Sequence, residues 1–102
     1  METKADKKII IYSKPECPFC DKAKLFFEEL SLPYEYIMLD PSSADYEARR
    51  DELKASTCHR SFPFVYIGDE FVGGFTELIQ AHRTNRLHEL CERIGLSLAY
   101  DF

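Results

Sequence analysis

Apolar positions recur along the chain with two different periods. Lys8-Ile9-Ile10-Ile11-Tyr12-Ser13 is a short β-branched run with few polar interruptions, which predicts a strand covered on both faces and central in a sheet. The pattern then changes. Ala23, Phe26, Phe27 and Leu30 recur at helical spacing with charges between them, giving an amphipathic helix that ends near Ser31. Pro33 punctuates, and Tyr34-Glu35-Tyr36-Ile37-Met38-Leu39 reads as a second strand, completing a βαβ unit. Pro41-Ser42-Ser43 is expected to open a second helix, with Ser42 and Asp45 at capping spacing. Its apolar face, Tyr46 and Leu53 with flanking alanines, is thin, so it should lie on the surface.

Phe64-Val65-Tyr66-Ile67, Gly68-Asp69 and Glu70-Phe71-Val72-Gly73 read as a hairpin. Thr76 is expected to cap a helix running to about Arg83, which Asn85 restarts. Leu87, Leu90, Cys91 and Ile94 form one face before Gly95 stops it. The order is β-α-β-α-β-β-α. This is an α/β chain with a central four-stranded mixed sheet flanked by helices. Residues 1–102 read as a single domain with a short polar extension over 1–7 and a tail over 96–102. The tail ends in Tyr100 and Phe102, whose packing the pattern does not specify.

Composition narrows the chemistry. With 45% hydrophobic and 14% aromatic residues the chain has material for a core, so disorder is excluded. Four cysteines in 102 residues are too few for a disulfide scaffold, and a domain of this size needs no covalent staples. A net charge of −5 lacks the basic excess that binding to nucleic acid requires. No apolar run approaches the roughly 18 residues of a membrane span. The polar stretch Met1 to Lys8 carries no targeting pattern, so a reducing, cytoplasmic compartment is expected. There, closely spaced cysteines read as metal-binding or redox-active.

Cys17 and Cys20 fall at a helix start, facing one side, where backbone N–H groups lack intrahelical partners and stabilise an anion. Pro18 suits the first turn because it lacks only an N–H that would be unpaired there. A Cys17 thiolate gains from the helix dipole and from Lys14, making Cys17 the nucleophile. Cys20, one turn deeper, is the resolving thiol. The competing reading is half a zinc site. Its second half is missing: only Cys58, His59 and Cys91 remain, and the adjacent side chains of Cys58 and His59 normally diverge.

Lys14-Pro15-Glu16-Cys17-Pro18-Phe19-Cys20, Ser61-Phe62-Pro63 and Gly73-Gly74-Phe75-Thr76-Glu77-Leu78 together resemble the glutaredoxin family, over nearly the whole chain from Lys8 to Ile94. Its motifs are Lys-x-x-Cys-Pro-Tyr-Cys, Thr-Val-Pro with a cis proline, and Gly-Gly followed by a small residue, Ser/Thr/Asp and Asp. The resemblance implies a thioredoxin-like fold and glutathione-dependent reduction of protein–glutathione mixed disulfides and protein disulfides. Glutathione is the reducing co-substrate, no metal is expected, and the chain should act as a monomer without nucleic acid or membrane partners.

The same resemblance implies the glutathione contacts. Lys14 and Arg60 match positive contacts to the glycine carboxylate, against the alternative that both are merely solvated. Phe19, the Phe62 backbone and cis Pro63 line the tripeptide. Gly74 allows close approach, with Thr76 offering a hydroxyl to the γ-glutamyl carboxylate and Glu77 receiving the ammonium. Glu77 is one methylene longer than the usual aspartate, and an ordinary helix cap with a first-turn acid is the alternative for Thr76 and Glu77. Phe75 replaces a small residue and either covers the tripeptide or packs inward.

Cys58 stands where the family often has glycine. It is read either as a thiol that exchanges with the active pair or as a partly buried, unreactive one. Cys91 reads as core, and His59, His82 and His88 as solvated surface. Two other functions compete. An iron–sulfur module bridging two subunits is disfavoured by Pro18, and a thioredoxin by Lys14 and Gly73-Gly74.

Overall fold

A computed structural model describes residues 8–96; the extension 1–7 and the tail beyond Leu96, with Tyr100 and Phe102, lie outside the described residues. The elements are β1 (Ile9–Ser13), α1 (Pro18–Glu29), β2 (Glu35–Met38), α2 (Tyr46–Thr57), β3 (Phe64–Ile67), β4 (Glu70–Gly73), α3 (Phe75–Arg83) and α4 (Arg86–Arg93). The sheet order is β2-β1-β3-β4. β1 pairs in parallel with β2 and antiparallel with β3, which pairs antiparallel with β4, so the sheet is mixed and β1 is central.

Alternation along β1 and β3 sorts the two faces. Ile9 and Ile11 with Val65 and Ile67 point into one core, where they meet Ala23 and Phe27 of α1, Leu78 and Ala81 of α3, and Leu87, Leu90 and Cys91 of α4. The opposite face carries Ile10, Tyr12 and Tyr66 and lies under α2. That helix buries no residue, as its thin apolar face predicts, and a cleft of about 440 Å³ remains between it and the sheet. Three helices on one face against one on the other leave the stability with the first.

Three boundaries differ from expectation. α2 starts at Tyr46 rather than at Pro41 to Ser43. The intended cap is used in a turn: the Asp40 carboxylate accepts from the Ser42 amide at 3.0 Å and its hydroxyl at 2.9 Å, bonds that hold the Asp40 carboxyl below its ordinary pKa. Asp45 is the N-cap residue, but its side chain makes no capping bond and instead accepts from Ser43. Asx-turn chemistry has outcompeted the helix.

α3 is capped by Gly74, not Thr76. The final helix is also two: Asn85 adopts a left-handed conformation at φ 66°, so α4 is a separate helix and the order ends α-α. Gly95, at φ 84°, ends α4, with the Gly95 amide bonding Glu92 and the Leu96 amide bonding Cys91.

The asymmetry between faces is measurable. Phe27→Ala should cost about 3–5 kcal/mol in urea unfolding, because Phe27 is fully enclosed, whereas Leu53→Ala on α2 should cost less than about 2 kcal/mol.

Candidate functional site

Cys17 is the N-cap of α1, extended at φ −124° and ψ 96°, and Pro18 opens the helix. The chain reaches this cap through Glu16, which is left-handed at φ 57°. The Cys17 carbonyl accepts from the Cys20 and Asp21 amides at 3.1 Å, and its Sγ accepts from the Cys20 amide at 3.2 Å. The sulfur thus occupies a capping oxygen's place and uses one of the helix's unpartnered donors. Cys17 and Cys20 are disulfide-bonded with Cα atoms 5.2 Å apart. Cys17 retains 8% of its surface and Cys20 none, so an incoming reagent meets Cys17 first.

Two aromatic–lysine groups belong to the segments around this pair. Lys14 Nζ stands 6.0 Å from the Phe62 ring centroid, tying the loop before α1 to the segment before Pro63. The Phe62–Pro63 peptide is cis, as expected, and Pro63 is fully buried. Phe19 and Phe75 join the starts of α1 and α3, with centroids 6.2 Å apart and planes at 31°. Phe75 is half-buried and packs at once against the core and against Phe19. Arg60 is exposed in the loop after α2, and no contact among the described residues ties it to this group.

At the start of α3, Gly73 has φ 130°, and a Cβ there would lie 2.5 Å from Glu77 Cβ. Glu77 Oε1 accepts from the Gly74 amide at 2.8 Å. The helix-cap alternative therefore describes one oxygen of Glu77, and the exposed carboxylate keeps its other. Thr76 is exposed and does not cap the helix.

The histidines are not simply solvated. His59 is half-buried, edge-on to Phe64 at 5.2 Å and to Phe71 at 5.6 Å, with Nε2 3.0 Å from where a Cβ on Gly74 would stand. His82 lies edge-on to Phe26 at 5.3 Å, and His88 pairs with Glu92 at 3.0 Å. The aromatic residues at 64 and 71 were the available signal for His59: the hairpin sets Phe71 opposite Tyr66, two residues from Phe64 on the same face, and brings the two phenyl rings within 6.1 Å. Lys22, which sequence reasoning passed over, holds its ammonium 5.1 Å from the Phe19 centroid and 6.0 Å from that of Phe75.

Cys58 is exposed, not partly buried. It ends α2 in a left-handed conformation at φ 60°, with its amide bonding the Lys54 carbonyl at 2.9 Å. That conformation is the physical reason glycine suits the position. Cys91 is core, and burial pushes its thiol pKa up to about 11. Among the described residues no group of three or more His, Cys, Asp or Glu side chains is gathered for a metal ion.

The glutaredoxin family profile matches residues 9–72. Glutaredoxin-1 of Sus scrofa is 32% identical over 92 residues, covering 86% of this chain and 85% of that protein. The structure of a buckwheat glutaredoxin–glutathione complex superposes with a TM-score of 0.79 at 28% identity, covering 87% of this chain and 80% of that one. Oxidised glutaredoxin 2 from Chlamydomonas reinhardtii gives 0.76 at 35% identity, covering 89% and 85%.

Two outcomes follow from this geometry. Iodoacetamide at pH 8 should label Cys58 in the folded, oxidised protein and leave Cys91 unlabelled until denaturant is added, as read by peptide mass spectrometry. Gly73→Ala should destabilise the protein by at least about 1 kcal/mol, since its backbone conformation and its Cβ contact are both unfavourable, and more than Gly74→Ala, as read by thermal unfolding.

Proposed function

The chain belongs to the glutaredoxin family and is a glutathione-dependent thiol–disulfide oxidoreductase, and from that premise we propose that Cys17 is its nucleophile and Cys20 its resolving thiol. The observation that carries the assignment is the Cys20 amide donating to Cys17 Sγ at the first turn of α1. A thiolate at that position keeps the donor and adds the attraction of the helix dipole, so the charged form is favoured. Cys20, fully enclosed one turn deeper, has no comparable access to solvent or substrate.

In the reduced enzyme the Cys17 thiolate attacks the glutathionyl sulfur of a mixed disulfide. The protein thiolate leaves and takes a proton, and Cys17 becomes glutathionylated. A second glutathione thiolate then attacks that sulfur, releasing glutathione disulfide and restoring the Cys17 thiolate. With a protein disulfide, Cys20 resolves the intermediate instead. The Cys17–Cys20 disulfide forms, and two glutathione molecules reduce it. Each route carries two electrons from glutathione to the substrate disulfide, and we assign electron transport of this kind to the pair.

Glutathione has two carboxylates and one ammonium, so its recognition needs cations at one end and donors with an acid at the other. Lys14, held beside Phe62, and Arg60 are the proposed partners of the glycine carboxylate. The extended backbone of Phe62 before Pro63 offers strand-like hydrogen bonds, with Phe19 at the rim. The γ-glutamyl carboxylate is assigned to the start of α3. There the Gly74 amide is already taken by Glu77, so the Phe75 and Thr76 amides and the Thr76 hydroxyl are its donors. Glu77 offers its second oxygen to the ammonium. Free thiols at Cys58 and Cys91 suit a reducing, cytoplasmic setting, and we assign the enzyme there as a monomer acting on glutathionylated or disulfide-bonded proteins.

The test is reduction of a mixed disulfide by glutathione, coupled to glutathione reductase. Cys17→Ser should fall to the uncatalysed rate. Cys20→Ser should retain mixed-disulfide reduction while losing reduction of protein disulfides. Full activity in Cys17→Ser would overturn the assignment.

A further inference from the structure

We propose that Phe19, Phe75 and Lys22 form a docking ledge for the polypeptide side of the disulfide substrate, selecting a large apolar side chain and an acidic residue beside the reacting cysteine. The inference deepens the proposed reaction and rests on it. A mixed disulfide presents two bodies to the enzyme, the glutathionyl group that Cys17 takes and the polypeptide that leaves. Lys14 and Phe62 form one aromatic–lysine group in segments assigned to the tripeptide; the ledge is a second group, at the joined starts of α1 and α3, which borders the tripeptide site at the Phe19 rim and the Phe75 amide and extends from there to Lys22.

Phe19 lies two residues beyond Cys17 and keeps 52% of its surface exposed, although a large apolar ring gains by leaving water. It is not loose. The Phe75 ring lies against it at 6.2 Å and is itself packed against the core, so Phe19 rests on a fixed support. Lys22 is one helical turn after Phe19, on the same face of α1, with its ammonium over both rings. The Lys22 ammonium forms no ion pair with a carboxylate among the described residues, where lysine and arginine pairs are Lys8–Glu35, Arg50–Asp51 and Arg86–Glu70. A cation with no ion pair among the described residues, above an exposed phenyl ring, is complementary to a segment that places a carboxylate on the first and an apolar group on the second.

Lys22 belongs to none of the contacts assigned to glutathione, so the minimal disulfide reports any general effect of reversing its charge and the peptide ratio reports the ledge. The probes are two glutathionylated peptides, alike except that Phe and Asp flank the cysteine in one and Gly and Lys in the other. The cysteamine–glutathione mixed disulfide serves as the minimal substrate. Wild type should favour the Phe/Asp peptide about fivefold to tenfold in kcat/KM, the gain expected from a shallow apolar contact plus an exposed ion pair. Lys22→Glu should bring that ratio below about twofold while its rate on the minimal disulfide stays within about twofold.

Phe75→Leu, which keeps apolar bulk for the core but removes the stacked ring, should lower the preference for Phe over Gly at fixed charge. Equal kcat/KM for the two peptides in wild type, or an unchanged ratio in Lys22→Glu, overturns the ledge and leaves the oxidoreductase reading standing. No turnover of the minimal disulfide by wild type overturns the reaction itself and the ledge with it.

Discussion

One hydrogen bond organises the reactive end of the molecule: the Cys20 amide donating to Cys17 Sγ. A helix start leaves backbone donors without partners, and here a sulfur fills the role that a serine or aspartate oxygen usually takes. The same contact sets the helix start, presents the sulfur at the surface and supplies a donor that strengthens as the sulfur gains charge. Interaction of a charge with a partly buried helix terminus reaches about 2 kcal/mol, which favours the thiolate over the thiol at this position. The cap is held in place by the buried side of α1. Cys20, Ala23 and Phe27 are fully buried along one side of the helix.

The second helix start, at α3, depends on the same core. Leu78 and Ala81 bury α3 among the residues that hold α1, so the two N-termini stand in fixed relation, and the Phe19–Phe75 contact bridges them at the surface. Glu77 is the most constrained participant. One carboxylate oxygen closes the turn at Gly74, and the Gly73 conformation leaves no room for a side chain against Glu77 Cβ. The acid that is one methylene longer than the family's usual aspartate therefore supports the turn, and its second oxygen is the one given to the ammonium in the proposed binding mode.

Much of this arrangement was legible in the chain because its signals are local. The Ile9 to Ile11 run, the Ala23, Phe26 and Phe27 stripe and the Gly68-Asp69 turn produce β1, α1 and the hairpin nearly at the expected residues. The errors lie where two local preferences compete or where distant segments meet. Ser42 serves an Asx turn on Asp40 as readily as a helix cap, and the turn won. Asn85 tolerates the left-handed conformation, so what read as one interrupted helix became two. His59 is defined by partners from β3 and β4, and no spacing within its own segment records that; Lys22 meets Phe19 at helical spacing, but its contact with Phe75 comes from α3.

The sheet order places β1, the first strand described, between β2 and β3, with Ile11 opposite both Tyr36 and Val65. The surface that encloses α1 includes Val65, Ile67, Leu78 and Leu90, all far downstream. Because a chain emerges from the ribosome amino end first, both thiols of the pair are synthesised well before the residues that shelter one of them. The attacking sulfur is therefore marked within the motif, by its place at the helix cap, whereas the shelter of its partner is acquired only on completion of the domain.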